Sequence, residues 1–216
     1  MIFAASCDKD DFAELNSDPS SLSEPDLRFS MTKSIEQMYG NDYTIWFYNN
    51  FDYIYPWTQV ATAAAGGGNS EAVVEMGEVG TQNIYNALIP NTRDIRARID
   101  AMSESEQEAR KALRAMTFPI QIQPAITITD LYGSMVYSEA GLAPYTTPAL
   151  LTPKYDTQEE LFNIWLDELD AAIEDLSAAN QFEIGDQDLI YNGDYLKWAK
   201  FCNLLKLKIA VRMINT

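Results

Sequence analysis

The sequence predicts a chain built mainly of α-helices, and three observations carry that prediction. Leu161, Trp165, Leu169, Ala172, Ile173 and Leu176 recur at the spacing of one helix face. Trp198, Phe201, Cys202, Leu205, Ile209 and Met213 repeat the pattern near the end. Ser103 with Glu106 and Thr157 with Glu160 have the form of a capping box, in which hydroxyl and carboxylate take backbone N–H groups that a first helical turn leaves without partners.

Residues 8–24 are rich in Asp, Ser and Pro and are predicted to be an acidic tether. After Pro25, the spacing of Leu27, Met31, Ile35, Met38 and Tyr39 predicts a first helix that closes at Gly40. Eight of the fifteen residues from 43 to 57 are aromatic. If that stretch is helical, Trp46, Asn50, Tyr53 and Trp57 share one face, and Pro56 should kink or end the helix near Tyr55. Residues 63–80 carry five glycines and no period, which predicts a loop.

Helical spacing resumes over residues 81–102, interrupted by Pro90. The capping box at Ser103 opens the next helix, but residues 120–129, "IQIQPAITIT", alternate apolar and polar and by themselves favour a strand. Residues 157–176 are the clearest helix. Asp194 is a plausible N-cap for the last one, which carries Lys197, Lys200, Lys208 and Arg212 beside its apolar stripe. No cap or glycine stops it before Thr216, so the natural protein is expected to continue.

Composition excludes several function classes. Fifteen Lys and Arg against 32 Asp and Glu give a formal charge of -17, which repels nucleic-acid phosphates and anionic lipid heads. Five of the fifteen cations lie within 195–216, so a basic helix sits on an acidic body. With no histidine, the commonest general base and transition-metal ligand is missing, and no metal or cofactor is expected. Acid pairs such as Asp167 and Asp170 fall on a solvated helix face, which argues against a glycoside hydrolase. Cys7 and Cys202 are too far apart in sequence and context to suggest a disulfide framework.

Small residues Ala4, Ala5 and Ser6 precede Cys7, an arrangement that looks like the lipobox of a bacterial lipoprotein, in which the thiol is acylated. The front of the signal peptide is missing, so residues 1–7 are taken as the remnant of a truncated or misannotated start. No stretch reaches the ~18 consecutive apolar residues of a spanning helix, so attachment to a membrane is expected through lipid alone.

Taken together, "AASC", "LNSDP", "TDLYGSMVYSEAG", "PKYDTQEELFNIWLDELDAAIEDL" and "YNGDYLKWAKFCNLLKLKIAVRM" resemble in order and spacing the amino-terminal half of the SusD/RagB family of outer-membrane nutrient-binding lipoproteins. The resemblance implies an all-α body over 25–216, an α/α superhelix of helix pairs similar to tetratricopeptide repeats with long irregular loops. It also implies that Gly133 reverses the chain with positive φ, that residues 120–129 belong to a helix kinked by Pro119 and Pro124, and that Cys202 is a buried core thiol. Family members are about twice this length.

The function implied is binding, not catalysis: a cell-surface lipoprotein, anchored by Cys7 in the outer membrane, that captures an oligosaccharide and passes it to a SusC-like TonB-dependent transporter. Capture of peptides, or a helical-repeat adaptor with protein partners, are the alternatives. Flat aromatic faces with nearby amides and carboxylates suit pyranose rings, so Trp46, Asn50, Tyr53, Tyr55 and Trp57 are candidate ligand-binding residues, although aromatics at helical spacing also build cores. Asn69, beside the Gly66–Gly68 run that would let a ligand approach the backbone, is a further candidate.

Overall fold

The computed structural model describes residues 26–39, 43, 54–55, 58–60 and 83–214. Among the described residues five α-helices follow one another: α1 Leu27–Gln37, α2 Ile89–Asp100, α3 Glu104–Tyr132, α4 Gln158–Leu176 and α5 Tyr195–Met213. No strand occurs among the described residues; Met135 and Asp156 form one isolated antiparallel bridge. Each helix packs on its neighbour in sequence from α2 to α5, α1 packs on α2, and α3 also touches α1 and α5.

The signals at the helix ends act as the sequence predicts. Thr157 Oγ1 accepts from Glu160 N–H at 3.3 Å, and the Glu160 carboxylate takes the Thr157 N–H at 2.8 Å. The Glu106 carboxylate takes the Ser103 N–H at 3.1 Å. Asp194 caps α5 by accepting from Lys197 N–H at 3.2 Å. Gly133 ends α3 at φ +76°, a conformation that L side chains rarely adopt. In α1 the stripe from Leu27 to Met38 is buried, but Tyr39 lies past the last turn and is exposed.

Two expectations are corrected. Pro90 does not interrupt its helix: Ile84–Leu88 form a π-helical turn in which Ile89 N–H reaches back to the Ile84 carbonyl, and Pro90 sits in the first turn of α2, where its missing N–H costs nothing. Nor is there a strand at 120–129, since α3 runs unbroken through Pro119 and Pro124 for 29 residues. An interior proline costs about 3 kcal/mol. Against that cost, Met116, Ile120, Ile122, Ala125, Ile126 and Ile128 are all buried among the surrounding helices. The alternating polar residues serve those neighbours: Gln121 meets Arg96 and Thr92 of α2, and Gln123 accepts from Lys208 of α5.

The core runs through all five helices, with Trp165 and Trp198 its largest fully buried side chains. Cys202 is buried within it, and desolvation pushes its thiol up to about 12, so it packs as a small hydrophobe. The basic α5 is pinned to acidic flanks: Arg212 Nε binds Asp130 of α3 at 2.7 Å, and Lys206 pairs with Asp170 of α4. No helix among the described residues is long and apolar enough to cross a membrane.

Candidate functional site

Between α3 and α4 the chain crosses from residue 133 to 157 as a strap laid against α2, and polar side chains hold it there. Arg93 of α2 donates from Nε to the Ala140 carbonyl at 3.1 Å and from one terminal nitrogen to the carbonyls of Ser138 at 2.8 Å and Tyr137 at 3.3 Å. A guanidinium suits this task because its planar donors address several carbonyls at once. Gly141, at φ +70°, lies so close to α2 that a Cβ there would meet Ile89 Cγ2 at 3.1 Å.

Asp156 closes the same stretch from the other side. Its fully buried carboxylate accepts from Ser138 N–H at 2.8 Å, Ser138 Oγ at 2.7 Å and Tyr137 N–H at 3.2 Å. Burial raises the Asp156 pKa, but these donors outweigh it and hold the carboxyl below its ordinary value. The Tyr137 hydroxyl donates to Glu168 of α4 at 2.6 Å, while its ring packs edge-on to Trp165 at 5.5 Å. Burial lifts Glu168 above the usual carboxylate range, against the pull of that hydrogen bond and of Arg96.

Beneath the strap, Arg96 is buried between α2 and α3. It donates to Thr117 Oγ1 and Gln121 Oε1, each at 2.9 Å, and lies over the Phe118 ring at 4.9 Å. Desolvation brings it down to about 10, so it stays charged at neutral pH. Asp188 organises the turn before α5 in the same manner, accepting N–H groups from Ile190, Tyr191 and Gly193 and the Trp198 indole at 2.8 Å. Arg93, Asp156 and Asp188 thus hold mainly backbone, while Arg96 and Glu168 bind side chains of neighbouring elements.

Of the residues predicted to bind ligand, Tyr55 is described. It is 38% exposed, and nearby Thr58 N–H donates to the Ile54 carbonyl at 2.9 Å. Trp46, Asn50, Tyr53, Trp57 and Asn69 lie outside the described residues, as does Cys7. Asp167 and Asp170 face solvent, with Asp170 bound to Lys206. No cluster of possible metal ligands occurs among the described residues. The polar clamp on the strap escaped sequence reading because Arg93, Asp156 and Glu168 have partners 18 to 47 positions away.

A stack of five packed helices with a long clamped crossover defines an all-α helical scaffold among the described residues. The chain belongs to the SusD-like family, whose description is starch-binding associating with outer membrane and whose model matches residues 19–216. Among solved structures, a chitin-binding protein is 27% identical, with a TM-score of 0.69 over 87% of this chain. A chitin-binding SusD homolog from Flavobacterium johnsoniae is 20% identical with a TM-score of 0.67 over 88% of the chain. A SusD/RagB family protein from Bacteroides thetaiotaomicron is 22% identical with a TM-score of 0.62 over 89% of the chain. The last two likenesses show the fold alone. The chain spans 39% of the length of each of these three structures. No curated protein matches the chain.

Proposed function

We propose that this protein captures a neutral oligosaccharide outside the cell and delivers it to a SusC-like TonB-dependent transporter. The observation that carries the reading is the family match across 19–216, supported by the 27% identity to a chitin-binding protein of the same fold. The chain's charge of -17 disfavours anionic polysaccharides by the same repulsion that disfavours nucleic acid. Cys7 carries the lipid that holds residues 8–24 as a tether and 25–216 as the body at the outer membrane. The aromatic run from Trp46 to Trp57, with Asn50 and Asn69 near it in sequence, supplies stacking faces and hydrogen-bonding amides.

Calorimetric titration with chitin oligosaccharides, malto-oligosaccharides and a peptide mixture tests the reading. Saturable heat with one glycan and none with peptides is the expected result. Heat with peptides alone would move the protein to the peptide-binding alternative, and heat with neither would leave a protein-interaction scaffold. Lipid attachment is checked in the native host by mass spectrometry of the mature amino terminus, where diacylglycerol on Cys7 is expected and an unmodified sulfur would refute the anchor.

A further inference from the structure

In a chain with 47 charged residues, the fourteen from 140 to 153 carry none. They form the outer part of the strap, and large side chains stand out from it and from its end: Leu151 is 79% exposed, Tyr155 71% and Tyr145 47%. Exposed rings on mobile backbone would be unremarkable, but this backbone is clamped by Arg93 and Asp156 at its start, and its close is bridged at Asp156 back to Met135. A surface already ordered loses little freedom when a ligand arrives.

The two rings stand at different points along α2. Tyr145 places its hydroxyl 3.5 Å from Asp94 Oδ1, midway along that helix. Tyr155 directly precedes Asp156, which is bridged to Met135, and the residue after Met135, Val136, hydrogen-bonds through its backbone to the half-buried Tyr85 of the π turn that precedes α2. The nine helical positions from 85 to 94 correspond to about 13 Å of rise. Each end therefore offers an aromatic face beside a second oxygen, with an uncharged bridge between them.

We propose that the strap is a saccharide-contact surface in which Tyr145 and Tyr155 stack on separate rings of one neutral oligosaccharide, with Asp94 and Tyr85 accepting or donating to its hydroxyls. This extends the capture reading above, and rests on it, by adding a site distinct from the Trp46–Trp57 run. Phenol rings give the apolar face that pyranose C–H groups need, and the Asp94 carboxylate beside Tyr145 gives a strong acceptor for a sugar hydroxyl.

The test is calorimetric titration of the wild-type chain and of Tyr145→Ala, Tyr155→Ala and the double variant with the glycan that the wild type binds, with Leu189→Ala as an exposed control. All three side chains are at the surface, so unchanged circular dichroism and unfolding temperature are expected. Each tyrosine removal should weaken binding about tenfold, the double variant more, and the control not at all. Tyr155→Phe, which keeps the ring, should retain most of the affinity. Wild-type binding with an equally strong double variant overturns the strap site and leaves the capture reading intact. No glycan binding by the wild type overturns both.

Discussion

The helix stack and the strap are held by different physics. Between α3, α4 and α5 the contacts are apolar and repeat with the helix period, so Trp165, Leu169, Trp198, Leu205 and Ile209 lose nearly all their exposure. The strap between α3 and α4 has almost no period and is fastened by a few polar groups, Arg93, Asp156 and the Tyr137–Glu168 pair. The stack supplies stability in many small increments, while the strap gets shape from a few directional bonds. A binding scaffold profits from that division, because the surface offered to a ligand is ordered without being buried.

The largest break should come from the stack. Trp198→Ala removes a ring that Tyr191 and Phe201 meet edge-on at 5.1 and 5.8 Å, and takes one donor from Asp188. A loss of about 3–5 kcal/mol is expected, read as a large fall in unfolding temperature. Asp156→Ala should cost less, about 2–3 kcal/mol, because two backbone N–H groups and a hydroxyl lose a charged acceptor. Its signature is local: hydrogen exchange should rise at residues 135–141 with little change in α5.

Two glycines at the strap sharpen the contrast. Gly133 and Gly141 both have positive φ, at 76° and 70°, but a Cβ at 133 meets nothing within 4 Å, whereas at 141 it meets Ile89 Cγ2 at 3.1 Å and Arg93 Cγ at 3.4 Å. Gly133→Ala should therefore cost about 1 kcal/mol of backbone strain. Gly141→Ala should cost more, since it also pushes on the residue that clamps the strap. Equal losses in urea unfolding would mean that the strap does not press on α2.

The smallest effect is electrostatic, and its sign differs between the half-buried Glu168 and the buried Asp156. Glu168 has a raised folded pKa, so the native state holds its proton longer than the unfolded chain, and stability falls as pH rises from the ordinary glutamate range through the raised value. Asp156 is depressed, so its contribution is present above the ordinary aspartate value and disappears as pH falls through the folded one. Glu168→Gln should flatten the decline in unfolding temperature as pH rises above the ordinary glutamate range and leave the acid limb in place. An unaltered profile would show that Glu168 is not desolvated.

Most of the stack was legible because helices announce themselves locally. Leu161 to Leu176 form one stripe, Thr157 caps it, and nothing in the fold contradicts the pattern. Helix α3 was harder for a physical reason: it is packed on several sides, so its period is blurred, and Gln121 and Gln123 are polar because α2 and α5 need partners there. The strap was legible only at Gly133. Its fastening bonds link residues far apart in sequence, and no local spacing encodes such pairs. Of the aromatic candidates only Tyr55 lies among the described residues, while Tyr145 and Tyr155 became visible once the fold showed which rings the core leaves out.

The central claim is that this acidic helix stack retains a neutral polysaccharide. Incubating the purified chain with insoluble chitin and, separately, with starch granules, then measuring what remains in the supernatant, tests it most directly. The account predicts depletion by at least one of the two, reversed by soluble oligosaccharides of the same linkage. Full recovery in the supernatant from both would contradict it.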